Sequence, residues 1–306
     1  MELGQYLQQK YTSQTVDRYL RDIGFYTAYG NQAFNKPIEQ ASYQDIMEFI
    51  GQLRKQYSNP QTIHRILQGV KKYYNWLQHT GQRKDHPCKS IRLKDSSTKG
   101  LQPQDLFSEK ELEMLLNSKP GHRHTDRKQD PPGGRAGKTR NKLILTFMVY
   151  QGMTRTEISH LEIKDINLEK GEIHIRPTKI LNGRTLPLKA SQVHLLYEYL
   201  YKSRPKSDTL KLLIGQRNAP LTQDAITRII MLYQYLFTPE GAQVPDRKLT
   251  ATTIRMSVCA NLLKTGKDLR VVQVYMGHKY PSSTERYKQN RTEELKKAIK
   301  KYHPLQ

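Results

Sequence analysis

Apolar residues recur at helical spacing along most of the chain and alternate with polar ones in only one short region. Val16, Tyr19, Leu20, Ile23, Phe25 and Tyr26 predict a helix over residues 12–29, with Ser13 or Thr15 as its cap. A second helix runs from Tyr43 to Leu53. Ser58-Asn59-Pro60 breaks the pattern, and Pro60 suits the first turn of a third helix because its missing N–H is not needed there. That helix carries Ile63, Ile66, Leu67, Val70, Tyr73, Tyr74 and Leu77. Residues 1–88 therefore read as a small all-helical bundle. Residues 89–105, KSIRLKDSSTKGLQPQD, are polar and punctuated by Gly100 and Pro103, which predicts a linker.

A second pattern fills residues 106–306. Ser108 and Glu111 form a capping box ahead of Leu112, Met114, Leu115 and Leu116. Residues 119–139 show no apolar period and predict a loop. Asn141 to Gly152 is strongly apolar and predicts a buried helix. Ile173 and Ile175 alternate with polar residues, Leu181-Asn182-Gly183 makes a turn, and Arg184 to Leu188 is the return strand. Helices are expected over 190–203 and 222–236. Ile254, Val258, Leu262 and Leu263 mark another, ended by Gly266. Leu269, Val272, Val274, Tyr275 and Met276 mark a shorter one, closed by Gly277. The chain ends in NRTEELKKAIKKYHPLQ, a basic helical pattern that either stays solvated or docks on a neighbour. The expected fold is mainly α with a small antiparallel β-sheet: a helical bundle followed by an α+β domain.

Charge narrows the partners. The formal net charge is +23, of which residues 1–100 contribute +7 and the rest +16. Positive charge spread over both halves suits a long polyanion better than it suits a single basic tail; nucleic acid is favoured, and membrane-surface binding or simple solubility could also use this charge. No apolar run is long enough to cross a membrane and the start has no apolar signal core, so a cytoplasmic protein is expected. Cys88 and Cys259 lie far apart in no metal-binding pattern and read as reduced structural thiols. His122 and His124 have no further ligands nearby, and GGRAGKT lacks the first glycine and the preceding strand of a P-loop. No cofactor or metal is expected.

The chemistry concentrates in residues 249–287. Arg255, His278 and Tyr287 follow one another across short helices in one stretch. A tyrosine attacking a phosphodiester needs fixed cations on the non-bridging oxygens, where charge develops, and Arg is the best two-pronged phosphate ligand. The leaving oxygen needs a proton from Lys or His.

This ordered set resembles the tyrosine recombinase (phage integrase) family, whose second motif runs H-x-x-R, then L-G-H, then a nucleophilic Tyr nine residues on. Arg255, Met276-Gly277-His278 and Tyr287 match in order and spacing. Gly152, Glu157, Ile158, Leu161, Asp165 and Ile166 fit the family's first motif, and Lys179, Arg184, Pro187 and Leu188 fit its K-x-x-x-x-R-x-x-P-L hairpin. Tyr73-Tyr74-Asn75-Trp76-Leu77 and His86-Pro87 look like the end of the family's core-binding domain. The resemblance implies a core-binding bundle, a linker that lets two domains close on a duplex, and a catalytic domain. It further implies a site-specific recombinase or integrase of the mobile-element kind, working on double-stranded DNA as a homo-tetramer on two duplexes. Tyr287 is then the nucleophile, Arg255 and His278 hold the phosphate, and Lys179 protonates the leaving oxygen.

Two positions depart from the motifs. Thr154 stands where the first motif has its catalytic Arg, with Arg155 one residue late, and Thr252 stands where the second has its first His. Arg155 is the expected replacement cation, and Thr154 and Thr252 retain hydroxyls that can donate to a phosphate. Two other readings stay open: a homologue that grips DNA without cleaving it, and a type IB topoisomerase. The charge distribution carries its own prediction. With about 6–10 phosphates neutralised, affinity for a duplex should fall about 10³–10⁵ between roughly 50 and 200 mM salt. Gel-shift titration across that range measures it, and a flat response excludes a protein that wraps DNA.

Overall fold

The computed structural model describes residues 1–34, 36–93, 105–120, 134–215, 218–238 and 247–287. Two compact units divide the chain, Met1–Gly100 and Leu101–Gln306.

The first unit holds α1 (Leu3–Gln8), α2 (Ser13–Ala33), α3 (Tyr43–Gln56) and α4 (Pro60–His79). Asn59 caps α4 by accepting from the Gln61 amide, and Pro60 occupies its first turn, as expected. Ser42 and Asp45 form a capping box on α3. For α2 the N-cap position is Thr12, one residue ahead of Ser13 and three ahead of Thr15, and its side chain makes no capping bond. α1 was not expected. It is too short to show a period, and it is held by burial of Tyr6 and Leu7.

α2 and α4 pack along one another. They approach closely at Gly69, where an added Cβ would stand 2.7 Å from the Asp22 Cβ. Tyr26, Phe49, Tyr74, Ile46, Ile50, Leu53 and Leu77 are fully buried. Tyr26 meets Phe49 edge to face at 5.0 Å between centroids, the arrangement that ring quadrupoles favour. The expected linker begins against this bundle: Ile91 is buried, and its carbonyl accepts from the Lys71 ammonium at 2.6 Å. Residues 94–104 lie outside the described residues.

The second unit is built round α6 (Gly134–Gln151), which follows α5 (Glu109–Asn117). Leu143, Ile144, Leu145, Phe147 and Met148 are all within 1% of complete burial. A helix buried on every side needs neighbours all round. Here they are α5, α8 (Ala190–Glu198), α9 (Gln223–Met231) and α10 (Ala251–Lys264). α6 starts at Gly134, within the stretch expected to be loop. Gly137, Thr139 and Asn141 are buried in its first turns, so small and polar residues do the packing and no apolar period shows. His122, His124 and the rest of 121–133 lie outside the described residues, as does the basic C-terminal segment from residue 288.

Between α6 and α8 come α7 (Arg155–His160) and a three-stranded antiparallel sheet in the order β1 (Ile166–Asn167), β2 (Glu172–Ile175), β3 (Arg184–Pro187). Ile173 pairs with Leu186 and Ile175 with Arg184, and these four residues face inward. α11 (Leu269–Met276) and α12 (Ser282–Glu285) follow α10. Among the described residues no helix is long and apolar enough to cross a membrane.

The bundle core contains a polar pair whose stability can be ranked. The buried Tyr74 hydroxyl donates to the Ile38 carbonyl at 2.7 Å. Its single proton is thereby used, so the Tyr26 hydroxyl at 2.6 Å must donate to it. Tyr74→Phe strands both partners and should destabilise the first unit by about 2 kcal/mol, whereas Tyr26→Phe removes one donor and should cost about 1 kcal/mol. Urea unfolding of the two variants decides; equal or reversed losses would contradict the assigned donor direction.

Candidate active site

Arg255 projects from α10 and is buried. Its guanidinium donates to two carbonyl oxygens, those of Gly152 and Met276. Met276 ends α11 and Gly152 directly follows α6, so one cation faces the C-terminal ends of two helices, where a positive charge is favoured. Glu157 lies 3.9 Å away. Burial pulls the Arg255 pKa down to about 10, against the opposing pull of Glu157, so the group stays charged at neutral pH.

Glu157 is itself fully buried at its side chain. One of its oxygens accepts from the Thr154 amide at 2.8 Å and from the Thr154 hydroxyl at 2.9 Å. The other accepts from Arg184 Nη1 at 2.6 Å. Arg184 stands opposite Ile175 on the inward face of β3. A single carboxylate thus serves two buried guanidiniums.

His278 follows Gly277, which ends α11 in the left-handed conformation at φ 69°. An added Cβ there would stand 2.6 Å from Arg184 Nη1 and 2.8 Å from the Asn182 carbonyl, so glycine is required by both torsion and space. The His278 Nδ1 and the Thr284 hydroxyl are 2.8 Å apart. Thr284, fully buried on α12, also accepts the Tyr287 amide on its carbonyl at 3.0 Å. The imidazole therefore holds the short helix that presents Tyr287. Burial first, then the charges of Arg255, Arg184 and Arg286, push the His278 pKa down to about 4, so the ring is neutral at pH 7. The half-buried Tyr287 ring packs on the core of the second unit. Burial raises its pKa, with Cys259 adding to the rise and Arg286 and Arg255 opposing it.

Lys179 lies exposed in the loop between β2 and β3, its carbonyl accepting from the Lys279 ammonium at 2.8 Å. That loop is tied to the His278 turn: the Asn182 amide donates to the Gly277 carbonyl at 2.8 Å, and Leu181 bridges to His278. The structure therefore brings Arg255, His278 and Tyr287 together, with the Lys179 loop alongside.

The other expected residues are engaged differently. Arg155 Nη1 donates to the Thr227 hydroxyl on α9 at 2.6 Å, and no described contact joins it to Arg255, His278 or Tyr287. The Thr154 hydroxyl is committed to capping α7 through Glu157. Thr252 is exposed on the first turn of α10. Sequence reading gave no role to Glu157, Arg184 or Thr284. A signal for Arg184 existed: period-two alternation through Leu186 and Leu188 puts residue 184 on the buried face. Among the described residues no group of three His, Cys, Asp or Glu is placed to hold a metal.

Comparison with known proteins identifies the family. Residues 123–294 match the phage integrase family and residues 3–81 match the phage integrase N-terminal SAM-like domain. Tyrosine recombinase XerD of Staphylococcus aureus is 25% identical over 298 residues, covering 96% of this chain and 93% of that protein. The XerH site-specific recombinase bound to a palindromic difH substrate superposes with a TM-score of 0.70 at 21% identity, over 93% of this chain and 78% of that one. A lambda integrase dimer bound to a COC' core site gives 0.67 at 14% identity, over 94% and 76%. These solved structures share the fold.

The depressed His278 pKa has a thermodynamic consequence. The unfolded chain takes up a proton near pH 6.5 while the folded chain resists until about pH 4. The contribution to stability is therefore full above pH 6.5 and is lost as pH falls through that window. His86 in the first unit is also held below its ordinary value by burial and acts in the same direction, so the comparison must be between proteins. Thermal midpoints of the second-unit transition, taken from pH 7 to 4.5, should fall less for His278→Gln than for the wild type. Parallel curves would show that the imidazole is not held neutral.

Proposed function

The chain belongs to the phage integrase family of tyrosine recombinases, whose members cleave and rejoin DNA, and we propose that it is a site-specific DNA recombinase with Tyr287 as its nucleophile. The observation that supports this assignment is that Arg255 on α10, His278 after α11 and Tyr287 after α12 meet at a single partly buried site. In this reading the Tyr287 hydroxyl passes its proton to solvent water as its oxygen attacks the scissile phosphate. A 3′-phosphotyrosyl bond forms, and the 5′-oxygen leaves with a proton from Lys179. A 5′-hydroxyl of the partner duplex then attacks the phosphotyrosyl bond and restores the backbone. The phosphate-ester bond is exchanged rather than hydrolysed, so no energy source is called for.

Each side chain has a physical part. Arg255 neutralises charge on the non-bridging oxygens, and its two carbonyl contacts fix it before substrate arrives, which is what makes electrostatic stabilisation efficient. His278 is uncharged. With Thr284 donating to Nδ1, the other ring nitrogen carries the hydrogen and donates to the phosphate. Lys179 is exposed on a flexible four-carbon stem, which lets it reach a departing strand end as a proton donor. The working assembly is four protomers on two duplexes, acting in the cytoplasm, and the departures at Thr154 and Thr252 favour an integrase of a mobile element.

One assay tests the whole reading. A nicked duplex carrying the natural site lets the short fragment diffuse away after attack, so a covalent protein–DNA adduct accumulates. The adduct should form in EDTA, since side-chain cations serve the phosphate here. Tyr287→Phe should abolish it and leave non-covalent binding intact. Lys179→Ala should slow it about 10²-fold or more, and a 5′-phosphorothiolate leaving group should restore the rate, because sulfur departs without a proton. Tight binding with no adduct from the wild type would make this a DNA-binding homologue.

A further inference from the structure

The first motif's cation is missing at Thr154, and Arg155 is engaged with Thr227. Other arginines of the second unit are also occupied elsewhere. Arg176 is paired with Glu162 and Asp165, and Arg140 and Arg204 donate to backbone carbonyls. Arg184 differs. It is 7% exposed, and only its Nη1 is bonded, to Glu157. Its Nε and Nη2 are buried with no hydrogen-bond partner among the described residues.

A folded chain rarely leaves charged donors buried and unpaired, because their lost hydration is not replaced. A two-pronged acceptor is the natural complement of a guanidinium edge, and the non-bridging oxygens of a phosphodiester are such an acceptor. The position is right. Arg184 Nη1 stands 2.6 Å from where a Cβ of Gly277 would be, so the guanidinium lies against the turn that carries His278 with only a glycine between. Glu157 cannot neutralise the pair, since one carboxylate faces both Arg184 and Arg255 and an excess positive charge remains. That charge is felt at the site: Arg184 depresses the pKa of both His278 and Arg255.

We propose that Arg184, reaching in from β3, is the second cation of the active site and a catalytic residue. It binds the scissile phosphate through Nε and Nη2 in place of the side chain absent at Thr154. The proposal rests on the recombinase reading above and adds to it the residue that completes its phosphate site.

The test separates charge neutralisation from folding. Adduct formation is measured for wild type and Arg184→Met on two nicked duplexes, one with an ordinary scissile phosphate and one with a methylphosphonate there. The methylphosphonate carries no negative charge, so a cation that neutralises the phosphate becomes dispensable on it. Arg184→Met should lose about 10²–10³ in rate on phosphate and less than about tenfold on methylphosphonate. Both rates come from one preparation, so a partly folded variant leaves their ratio unchanged. Because Arg184→Met strands the Glu157 carboxylate, the ratio is also taken on Arg184→Met/Glu157→Gln, which should show the same split. Equal losses on the two substrates, with the wild type active, would make Arg184 purely structural and overturn the proposal while leaving Tyr287 as nucleophile. A wild type that forms no adduct on either substrate overturns both readings.

Discussion

The buried carboxylate of Glu157 is the constraint on which the rest of the second unit depends. It holds the start of α7 through Thr154, the inward end of β3 through Arg184, and stands beside Arg255 on α10. Those three elements are separate in sequence. Burying a carboxylate costs several kcal/mol unless charge and hydrogen bonds replace its water, and here both do. The dependence is mutual. Without the carboxylate, two guanidiniums would share a medium of low dielectric with no opposing charge. Glu157, Arg184 and Arg255 therefore form an ion cluster with one positive charge to spare, which the proposed scissile phosphate would balance.

Around this cluster the backbone supplies much of the electrostatics. Arg255 is held by carbonyls at the ends of α6 and α11, so its position follows from how those two helices stop. The His278 turn stitches the β2–β3 loop to α11, and the His278–Thr284 contact carries the same linkage on to α12 and Tyr287. Local stops and turns, more than long-range packing, place the reactive groups. The large apolar core led by α6 gives them a rigid floor.

Much of this was legible in the sequence, and the reason differs by element. α4 announced itself through a Pro in its first turn and an unbroken apolar stripe, and α5 through its capping box; both are local rules that tertiary context left alone. The first turns of α6 were hidden because their inward residues are small or polar. α1 was hidden because six residues cannot display a period. At the site, spacing alone paired Arg255, His278 and Tyr287. Spacing also pointed to Arg155, adjacent to the vacant motif position, and in the fold it starts a helix and donates to Thr227 on α9. Arg184 is distant in sequence and arrives by strand register, which requires knowing that β3 pairs with β2 and which face is buried. Glu157 appeared in the sequence as one matching letter; its three partners exist only in the folded chain.

Gly277 has a consequence for how such a chain evolves. Every single-base change that replaces this glycine with another residue installs a Cβ, and at this position a Cβ meets both an arginine nitrogen and a carbonyl oxygen on a backbone of positive φ. The penalty falls on folding before it falls on strand exchange. Purifying selection would therefore hold this glycine even in a lineage that had stopped recombining DNA, so long as the folded protein kept some use. Its persistence in a sequence attests to an intact turn and says nothing of an active enzyme. The informative letters for decay of function are the exposed ones, Lys179 foremost, which a folded but idle descendant is free to lose.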